Sequence, residues 1–196
     1  MELEELLLRR LAGHRLLKAA ERLSTARALC GVQAQFMSNA MHALRIRCTD
    51  WAAGGAGLVK NWSLRGTVHV FPESDLPLYI RAGDYRKNEW DAPNRWNSRP
   101  DWALSPERQR YFSQAVLEAL ENGPRTREEL KETCRAEGMT PEEEHSMFHP
   151  WGGGLRQLCE RGFMHYAAEE KKEFRPSPVF EPMPEDEARL ELARRY

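Results

Sequence analysis

The architecture of this chain is indicated most clearly by TREELKETCRAEGMTPEE, residues 126–143, which carries two helix-start signals. Thr126 is followed by Glu129, and Thr140 is followed by Glu143. Each pair is a capping box, in which the two side chains satisfy backbone N–H groups that the first helical turn leaves unpaired. The stretch therefore predicts two short consecutive helices.

The flanking sequence adds a helix before this pair and a hairpin after it. Ser105-Pro106 is a cap followed by a first-turn proline, and that helix should end at Asn122-Gly123. A further helix through Leu155 leads into residues 163–166 and 173–175, which a charged turn separates. Helices followed by a two-stranded hairpin are typical of a winged helix, an elaboration of the helix-turn-helix.

The first half of the chain predicts three helices. Leucines at helical spacing predict one that ends near Gly13, and an apolar stripe over residues 37–44 predicts another. Between them, Ser24 is expected to cap a short helix over residues 25–30. The predicted fold class is therefore α+β, mostly helical, with tandem winged-helix (helix-turn-helix) units and short β-hairpins.

A change of period to two predicts a strand over residues 62–71. The alternation puts Val68 and Val70 on one face of that strand, and Thr67 and His69 on the other. The preceding residues 51–57 have no clear period and predict a loop.

Three segments are expected along the chain. Residues 1–100 predict an N-terminal winged-helix-like unit, residues 101–180 a second winged helix, and residues 181–196 the start of a following helix that is cut short. The region 86–102, rich in proline, asparagine and tryptophan, is expected to connect the first two.

Charge and hydropathy limit the partners. Residues 1–110 hold 17 Lys and Arg against 12 Asp and Glu, whereas residues 111–196 hold 12 against 18. A polyanion would therefore bind the first half more readily, although charges scattered on solvated helix faces give the same totals.

A mean hydropathy of -0.71 without a long apolar run excludes a membrane-spanning helix. The acidic N-terminus is unlike a secretory signal, so a cytoplasmic location is expected.

Metal and cofactor chemistry is not expected. The four cysteines form no CxxC pair and are interpreted as reduced thiols. His145 and His149 are spaced as on one helix face, but a zinc-protease motif would place glutamate at the position that Ser146 occupies. No metal ligand and no cofactor is therefore predicted.

Two strings, GVQAQ at residues 31–35 and LRGTVH at residues 64–69, resemble the AlkZ/YcaQ family of bacterial winged-helix proteins, some of which are DNA glycosylases. Gln33 and Gln35 match the two glutamines of the AlkZ branch, whereas the YcaQ branch has an acid in the second place. The resemblance implies several winged-helix units around a β-barrel, forming a C-shaped clamp on DNA. Because family members are longer, it also implies that a C-terminal β-barrel and a further winged-helix unit belong to the full-length protein.

Glutamine chemistry restricts the substrate that such a site can process. An amide has no useful pKa, so Gln33 and Gln35 cannot act as a general base. An N-alkylated purine carries a positive charge and leaves as a neutral base, so its glycosidic bond is already weakened. Amide oxygens can then hold a water and stabilise an oxocarbenium-like sugar. The two residues are therefore predicted to be catalytic on a cationic base.

Geometry sets a condition on that prediction. Residues two apart point about 200° apart on a helix but share a face on an extended segment. Gln33 and Gln35 can therefore serve one site only where the chain is extended, which a turn at Gly31 would permit. The alternative is that they are surface or capping amides at the start of a helix.

The second string supplies predicted contacts to DNA. Thr67 and His69 could orient a sugar, a phosphate or the glutamines, and Arg65 could contact a phosphate. Trp62 could stack on or wedge into DNA, as could the other tryptophans Trp90, Trp96 and Trp102. The alternative is packing: a histidine hydrogen-bonded within the sheet, and tryptophans in the core.

The sequence thus predicts a monofunctional DNA glycosylase that binds alkylated double-stranded DNA. The alternative is a noncatalytic winged-helix module that binds DNA or a protein in regulation. The glutamates at residues 142–144 make the third helix of the second unit a poor reader of bases, because phosphates would repel them. The glycines at residues 152–154 either break a helix or bring backbone N–H groups against a phosphate.

Overall fold

The computed structural model describes residues 2–63, 66–87, 99–169 and 172–195. The chain is α+β, as predicted, and divides into two compact units. The first unit comprises residues 1–79, 168–170 and 183–196, and the second comprises residues 80–167 and 171–182.

The first unit contains five of the described helices and three strands. The helices are α1 (Leu3–Gly13), α2 (Arg22–Ala28), α3 (Met37–Arg45), α4 (Leu76–Tyr79) and α9 (Glu185–Arg195). The strands are β1 (Val32–Gln33), β2 (Leu58–Trp62) and β3 (Val68–Pro72). β3 is the central strand and pairs antiparallel with both β1 and β2.

The core of the first unit lies between helices α2 and α3 and one face of this sheet. Ala40 and Leu44, from the apolar stripe that predicted α3, are buried in it, so that prediction is confirmed. The cluster of buried side chains consists of Ala26, Val32, Ala34, Ala40, Leu44, Cys48, Leu58, Val70 and Ala168.

The predicted continuous strand over residues 62–71 is wrong, because a turn interrupts it. β2 ends at Trp62 and β3 begins at Val68. The Ser63 N–H donates to the Thr67 carbonyl at 3.0 Å, which closes the hairpin. Gly66 has φ +66°, a conformation that glycine adopts without steric cost.

The predicted cap of α2 is also wrong. The helix begins at Arg22, so Ser24 lies inside it. The Arg22 N–H donates to Asp50 Oδ1 at 2.7 Å, so a carboxylate distant in sequence satisfies the first turn. A tertiary contact has replaced the local cap that serine would otherwise supply.

The second unit follows the sequence prediction closely. Its helices are α5 (Pro106–Glu121), α6 (Arg127–Ala136), α7 (Pro141–Met147) and α8 (Gly153–Glu160). Its strands are β4 (Arg125–Thr126), β5 (Met164–Ala167) and β6 (Glu173–Pro176), with β6 antiparallel to both of the others. Both capping boxes form, and Ser105 accepts a hydrogen bond from the Arg108 N–H. Local capping therefore locates the starts of α5, α6 and α7, whereas α8 begins without a side-chain cap.

The two units share part of their order of elements. In the first, α2 leads into β1, α3 follows, and the β2–β3 hairpin comes next; in the second, α5 leads into β4, the helices α6 to α8 follow, and the β5–β6 hairpin comes next. In each case the short strand pairs with the second strand of the hairpin, β1 with β3 and β4 with β6.

The glycine run before α8 permits close packing of α7 and α8. Gly153 has φ +77°, and a Cβ atom there would lie 2.3 Å from the Ser146 carbonyl oxygen. Gly152, Gly153 and Gly154 are buried, so this backbone is packed against protein instead of facing a phosphate. Of the two alternatives for these glycines, a helix break or a phosphate contact, the structure therefore supports the helix break.

We expect Gly153→Ala to lower the free energy of unfolding by about 3 kcal/mol, because backbone strain adds to overpacking. Gly138→Ala is the matched control: Gly138 has φ +80° with nothing within 4 Å of a built Cβ. That variant should lose only about 1 kcal/mol. Urea unfolding measures both, and equal losses would show that the contact with Ser146 is unimportant.

A buried histidine makes the stability of the second unit depend on pH. Burial, with the nearby Arg175 charge, lowers the pKa of His165 to about 4. The unfolded chain, with an ordinary histidine pKa near 6.5, therefore binds a proton that the folded chain does not. Stability should fall as the pH drops from about 6.5 to about 4, by roughly 3 kcal/mol in all. Urea unfolding across this range should show a smaller loss in His165→Gln than in the wild type, and equal losses would contradict the assignment.

The four cysteines Cys30, Cys48, Cys134 and Cys159 all lie among the described residues, where they are buried and form no disulfide bond. Burial raises the pKa of Cys159 well above its ordinary value, so this thiol stays protonated.

Over the described residues, no helix has both the length and the apolar character needed to cross a bilayer.

Candidate functional site

Gln33 and Gln35 are both exposed, and the residues that alternate with them, Val32 and Ala34, are 9% and 0% exposed. Gln33 ends β1, and Gln35 lies in the bend that follows it. The Ala34 N–H donates to the Val68 carbonyl at 2.9 Å, so pairing with β3 continues one residue past β1. The segment is therefore not regular helix, which two glutamines in one site require.

The turn before β1 depends on Gly31. Its N–H donates to the Ala26 carbonyl at 2.8 Å, and its φ of +87° directs the chain from α2 into the strand. A Cβ atom there would lie 3.1 Å from His69 Cβ and 3.3 Å from the Val70 carbonyl oxygen. Both backbone conformation and close approach to β3 therefore favour glycine at this position.

A row of polar residues crosses the three strands at this point. Gln33 is paired with His69 on β3, and His69 is paired with Asn61 on β2. Residues directly opposite in antiparallel strands carry their side chains on one face, with Cβ atoms about 4.5–5.5 Å apart. His69 is 5% exposed and Asn61 is 0% exposed, whereas Gln33 is exposed. The row thus runs from the surface into the interior.

The His69 ring is tied to the hairpin turn. Its Nδ1 lies 2.9 Å from Ser63 Oγ, 3.2 Å from the Thr67 carbonyl oxygen and 3.5 Å from Thr67 Oγ1. The sequence analysis named Thr67 and His69 as neighbouring contact residues, and in the structure the two residues are in contact. Sequence reasoning missed Ser63, because the turn was taken for continuous strand.

Asn61 was also missed, because β2 was not predicted. Its Oδ1 accepts a hydrogen bond from the Trp62 N–H at 2.8 Å. The available sequence signal was an asparagine shortly before the RGTVH string. If such a polar side chain becomes buried it needs a hydrogen-bond partner, which marks it as a candidate.

The other predicted contact residues are placed less favourably or lie elsewhere. Trp62 is 9% exposed, so nearly all of this residue is packed against protein, as in the packing alternative. Arg65, Trp90 and Trp96 lie outside the described residues. Trp102 belongs to the second unit, where its Nε1–H donates to the Leu104 carbonyl at 2.8 Å.

His145 and His149 form a ring pair. Their ring centroids are 5.3 Å apart, and His145 Nε2 lies 3.6 Å from Asp101 Oδ2. In the part of the chain that the structure describes, no group of three or more His, Cys, Asp or Glu side chains is arranged to hold a metal ion.

The candidate site offers hydrogen bonding without a carboxylate. The exposed amides of Gln33 and Gln35 can each present oxygen or nitrogen to a ligand, and the His69 imidazole carries two ring nitrogens. Such groups can orient a water molecule and stabilise a developing positive charge through their dipoles.

Comparison with known proteins gives a consistent result. The profile of a family described as DNA glycosylase AlkZ-like matches residues 26–196. The chain is 26% identical over 147 residues to the interstrand DNA cross-link repair glycosylase of Streptomyces sahachiroi, covering 69% of this chain and 38% of that protein. The solved structure of Streptomyces sahachiroi DNA glycosylase AlkZ has a TM-score of 0.71 and 24% identity, covering 95% of this chain and 54% of that one. The chain therefore spans about half or less of the length of these relatives.

Proposed function

Since this chain belongs to the AlkZ-like family of DNA glycosylases, we propose that it acts in DNA repair by hydrolysing the N-glycosidic bond of cationic alkylated purines in double-stranded DNA. One observation carries the proposal: Gln33 and Gln35 are both exposed on a segment that is not helical, and the alternate residues Val32 and Ala34 are buried. Paired amides on a common surface can reach one sugar ring.

The proposed reaction suits neutral groups. An alkylated purine leaves as a neutral base, so protonating the leaving group is unnecessary. The oxygens of Gln33 and Gln35 hold the attacking water and stabilise positive charge on the sugar. The bond from the water oxygen to the sugar forms as the glycosidic bond breaks, the bonding electrons leave with the base, and the extra water proton passes to solvent. The abasic sugar and the neutral free base are the products. No bond between enzyme and sugar is needed, which makes the enzyme monofunctional and independent of a cofactor.

The contacts to DNA follow from the same region. Thr67 and His69 orient the sugar or the glutamines, Arg65 contacts a phosphate, and the small exposed part of Trp62 packs against the nucleotide. The base must leave the stack to reach the amides, and a damaged base does so at lower cost.

The architecture that we propose is a pair of winged-helix units. The limits expected from the sequence are 1–100, 101–180 and 181–196, whereas the compact units change after residue 79 and residues 183–196 belong to the first unit. The supporting observation is the shared order of helix, two-residue strand, one or more helices and hairpin, with the short strand paired to the second hairpin strand. In a full-length family member a β-barrel and a further winged-helix unit would complete the clamp on DNA. A cytoplasmic enzyme would meet its substrate directly.

The second candidate is a noncatalytic winged-helix module that binds DNA or a protein. The uncharged character of the polar row favours it, since no carboxylate is present at residues 33, 61 or 69. The two candidates differ in whether a base is released.

A base-release assay separates them. Duplex DNA containing N7-methylguanine, a cationic base, is compared with duplex containing neutral ethenoadenine and with an interstrand cross-link, which the name of one relative suggests. We expect release of the cationic base and little release of the neutral one. Binding to all duplexes without any release above the spontaneous rate would favour the module.

A further inference from the structure

Arg45 is an exposed arginine on α3, the helix that begins two residues after Gln35. We propose that the Trp51 ring holds the Arg45 guanidinium so that its N–H groups bind a phosphate of the DNA strand that carries the damaged base. This inference rests on the proposed function, which supplies DNA as the ligand. The contact helps to place that strand over Gln33 and Gln35.

The chain on both sides of α3 contains no acidic residue. Residues 22–49 hold four arginines and neither aspartate nor glutamate, although the chain as a whole has 30 acidic residues. Ser38, His42 and Arg45 are exposed, and their spacing of four and three residues places them on one side of α3. A phosphate backbone can therefore approach this side of the helix without repulsion from a carboxylate of α3. In contrast, α7 begins with three glutamates.

Arg45 is the arginine of residues 22–49 whose charge is directed to solvent. Within the part of the chain that the structure describes, its guanidinium contacts the Trp51 ring and pairs with no carboxylate. Arginines already bound to protein oxygens offer fewer donors to an external anion, so Arg45 is the phosphate ligand that this stretch provides. The other three are engaged, Arg22 with Asp50, Arg27 with Asp75, and Arg47 with the carbonyl oxygens of His14 and Ala43.

The geometry of the contact with Trp51 suits the binding of an anion. The guanidinium carbon of Arg45 lies 4.5 Å from the centre of the Trp51 ring, which is a cation–π contact. A planar guanidinium that rests on an aromatic face keeps its N–H groups at its edge, where they can bond a phosphate. The ring also restricts a long side chain that would otherwise lose conformational freedom on binding. The neighbouring Asp50 carboxylate is compensated by Arg22, so it does not compete for Arg45.

The position of Arg45 places the contact close to the candidate site. Arg45 is eight residues after Met37 on α3, which corresponds to about 12 Å along the helix at 1.5 Å per residue. Phosphates of one strand are spaced about 3.4 Å along the axis of B-DNA. A phosphate bound by Arg45 therefore lies within roughly six nucleotides of a sugar held by Gln33 and Gln35.

Arg45→Gln tests the phosphate contact through the salt dependence of binding. The probe is a duplex with a tetrahydrofuran abasic analogue, which has no base to release, and fluorescence anisotropy measures the Kd at several NaCl concentrations. The Kd should rise about fivefold to tenfold, because a charged hydrogen bond is lost. The slope of log K against log salt should become shallower by about 0.9, the value for one phosphate.

Arg189→Gln is the matched control, because Arg189 is an exposed arginine of the same unit that pairs with Glu185 at 2.7 Å. This variant should change neither the Kd by more than about twofold nor the salt slope. A loss of the same size in both variants would show a general effect of net charge and overturn the specific contact of Arg45. Thermal unfolding of each variant checks that the fold is intact.

Trp51→Leu tests whether the ring positions the guanidinium. The Kd should rise about threefold with an unchanged salt slope, because Arg45 still reaches the phosphate but is held less well. In the Arg45→Gln background, Trp51→Leu should add nothing, since its effect passes through Arg45. Trp51→Phe keeps an aromatic face and should restore most of the affinity. An equal loss in both backgrounds would overturn the positioning role of Trp51.

Neutral methylphosphonate linkages locate the bound phosphate. They replace one phosphate at a time within six nucleotides of the abasic analogue, on either strand. For the wild type, one position on the strand with the analogue should weaken binding about as much as Arg45→Gln does, and that linkage should cost the variant nothing further. Additive losses at every position would overturn the contact, and a coupled position on the opposite strand would overturn the choice of strand.

The outcomes separate this inference from the proposed function. An unchanged Kd and salt slope in Arg45→Gln, when the wild type releases N7-methylguanine, overturn the role of Arg45 and leave the glycosylase assignment standing. Weaker binding by Arg45→Gln, when the wild type releases no base, supports the phosphate contact and favours the noncatalytic module. A wild type that binds no duplex overturns both.

Discussion

Replacing both Gln33 and Gln35 by alanine is expected to slow the release of N7-methylguanine from duplex DNA by about 100-fold or more. Removing one preorganised dipole that stabilises transition-state charge typically costs 10²–10³ in rate. The Kd for the duplex should change little, because phosphate contacts supply most of the affinity for DNA. Single-turnover kinetics measure the rate and fluorescence anisotropy measures the Kd.

The double variant needs a control for the loss of glutamine as such. Gln114 is an exposed glutamine on α5 of the second unit, and its Nε2 donates to Glu118 at 2.9 Å. Gln114→Ala should release the base at the wild-type rate. Because Gln33 and Gln35 are both exposed, the double variant should unfold within about 0.5 kcal/mol of the wild type. Base release at the wild-type rate by a folded double variant would disprove the catalytic role of the two amides.

Replacing Asp75 by asparagine is expected to lower the free energy of unfolding by about 3 kcal/mol. The Asp75 carboxylate is 5% exposed and accepts from Arg27 Nε at 3.1 Å and from Arg195 Nη1 at 2.6 Å. Arg195 keeps its pair with Glu191 and Arg27 is partly exposed, so the loss comes from weakening the two charged hydrogen bonds of a buried carboxylate. Urea unfolding measures the change.

The same substitution should release α9, because Arg195 belongs to that helix. We expect faster amide hydrogen exchange in α9 than in the wild type. Asp186→Asn is the control: the Asp186 side chain is 93% exposed and lies 3.5 Å from Arg189 in the same helix. An exposed pair contributes less than about 1 kcal/mol, so this variant should differ little. A loss below 1 kcal/mol in Asp75→Asn would show that the carboxylate does not hold α9.

The candidate site could be foreseen only in part. The QAQ and RGTVH strings identified Gln33, Gln35, Thr67 and His69 as candidates, but nothing local showed that β1 and β3 place Gln33 opposite His69. A strand of two residues has almost no sequence signature, because it is stabilised by pairing with residues far along the chain. Asn61 and Ser63 were missed for the same reason.

Local chemistry determined the helices of the second unit. The capping boxes at Thr126 and Thr140 and the Ser105 cap act within one helical turn, so residue type and spacing are sufficient to locate them. The sequence by itself also determined the exclusion of a membrane-spanning helix and the candidate glutamine pair.

Tertiary structure decided the features that depend on residues distant in sequence. Asp50 moved the start of α2 to Arg22, and the hairpin formed by β2 and β3 divided one predicted strand into two. Pairing with β3 accompanies the burial of Val32 and Ala34, whereas Gln33 and Gln35 are exposed. Such contacts form only when separate segments meet, and their free energy comes from burial and pairing that no short window of sequence contains.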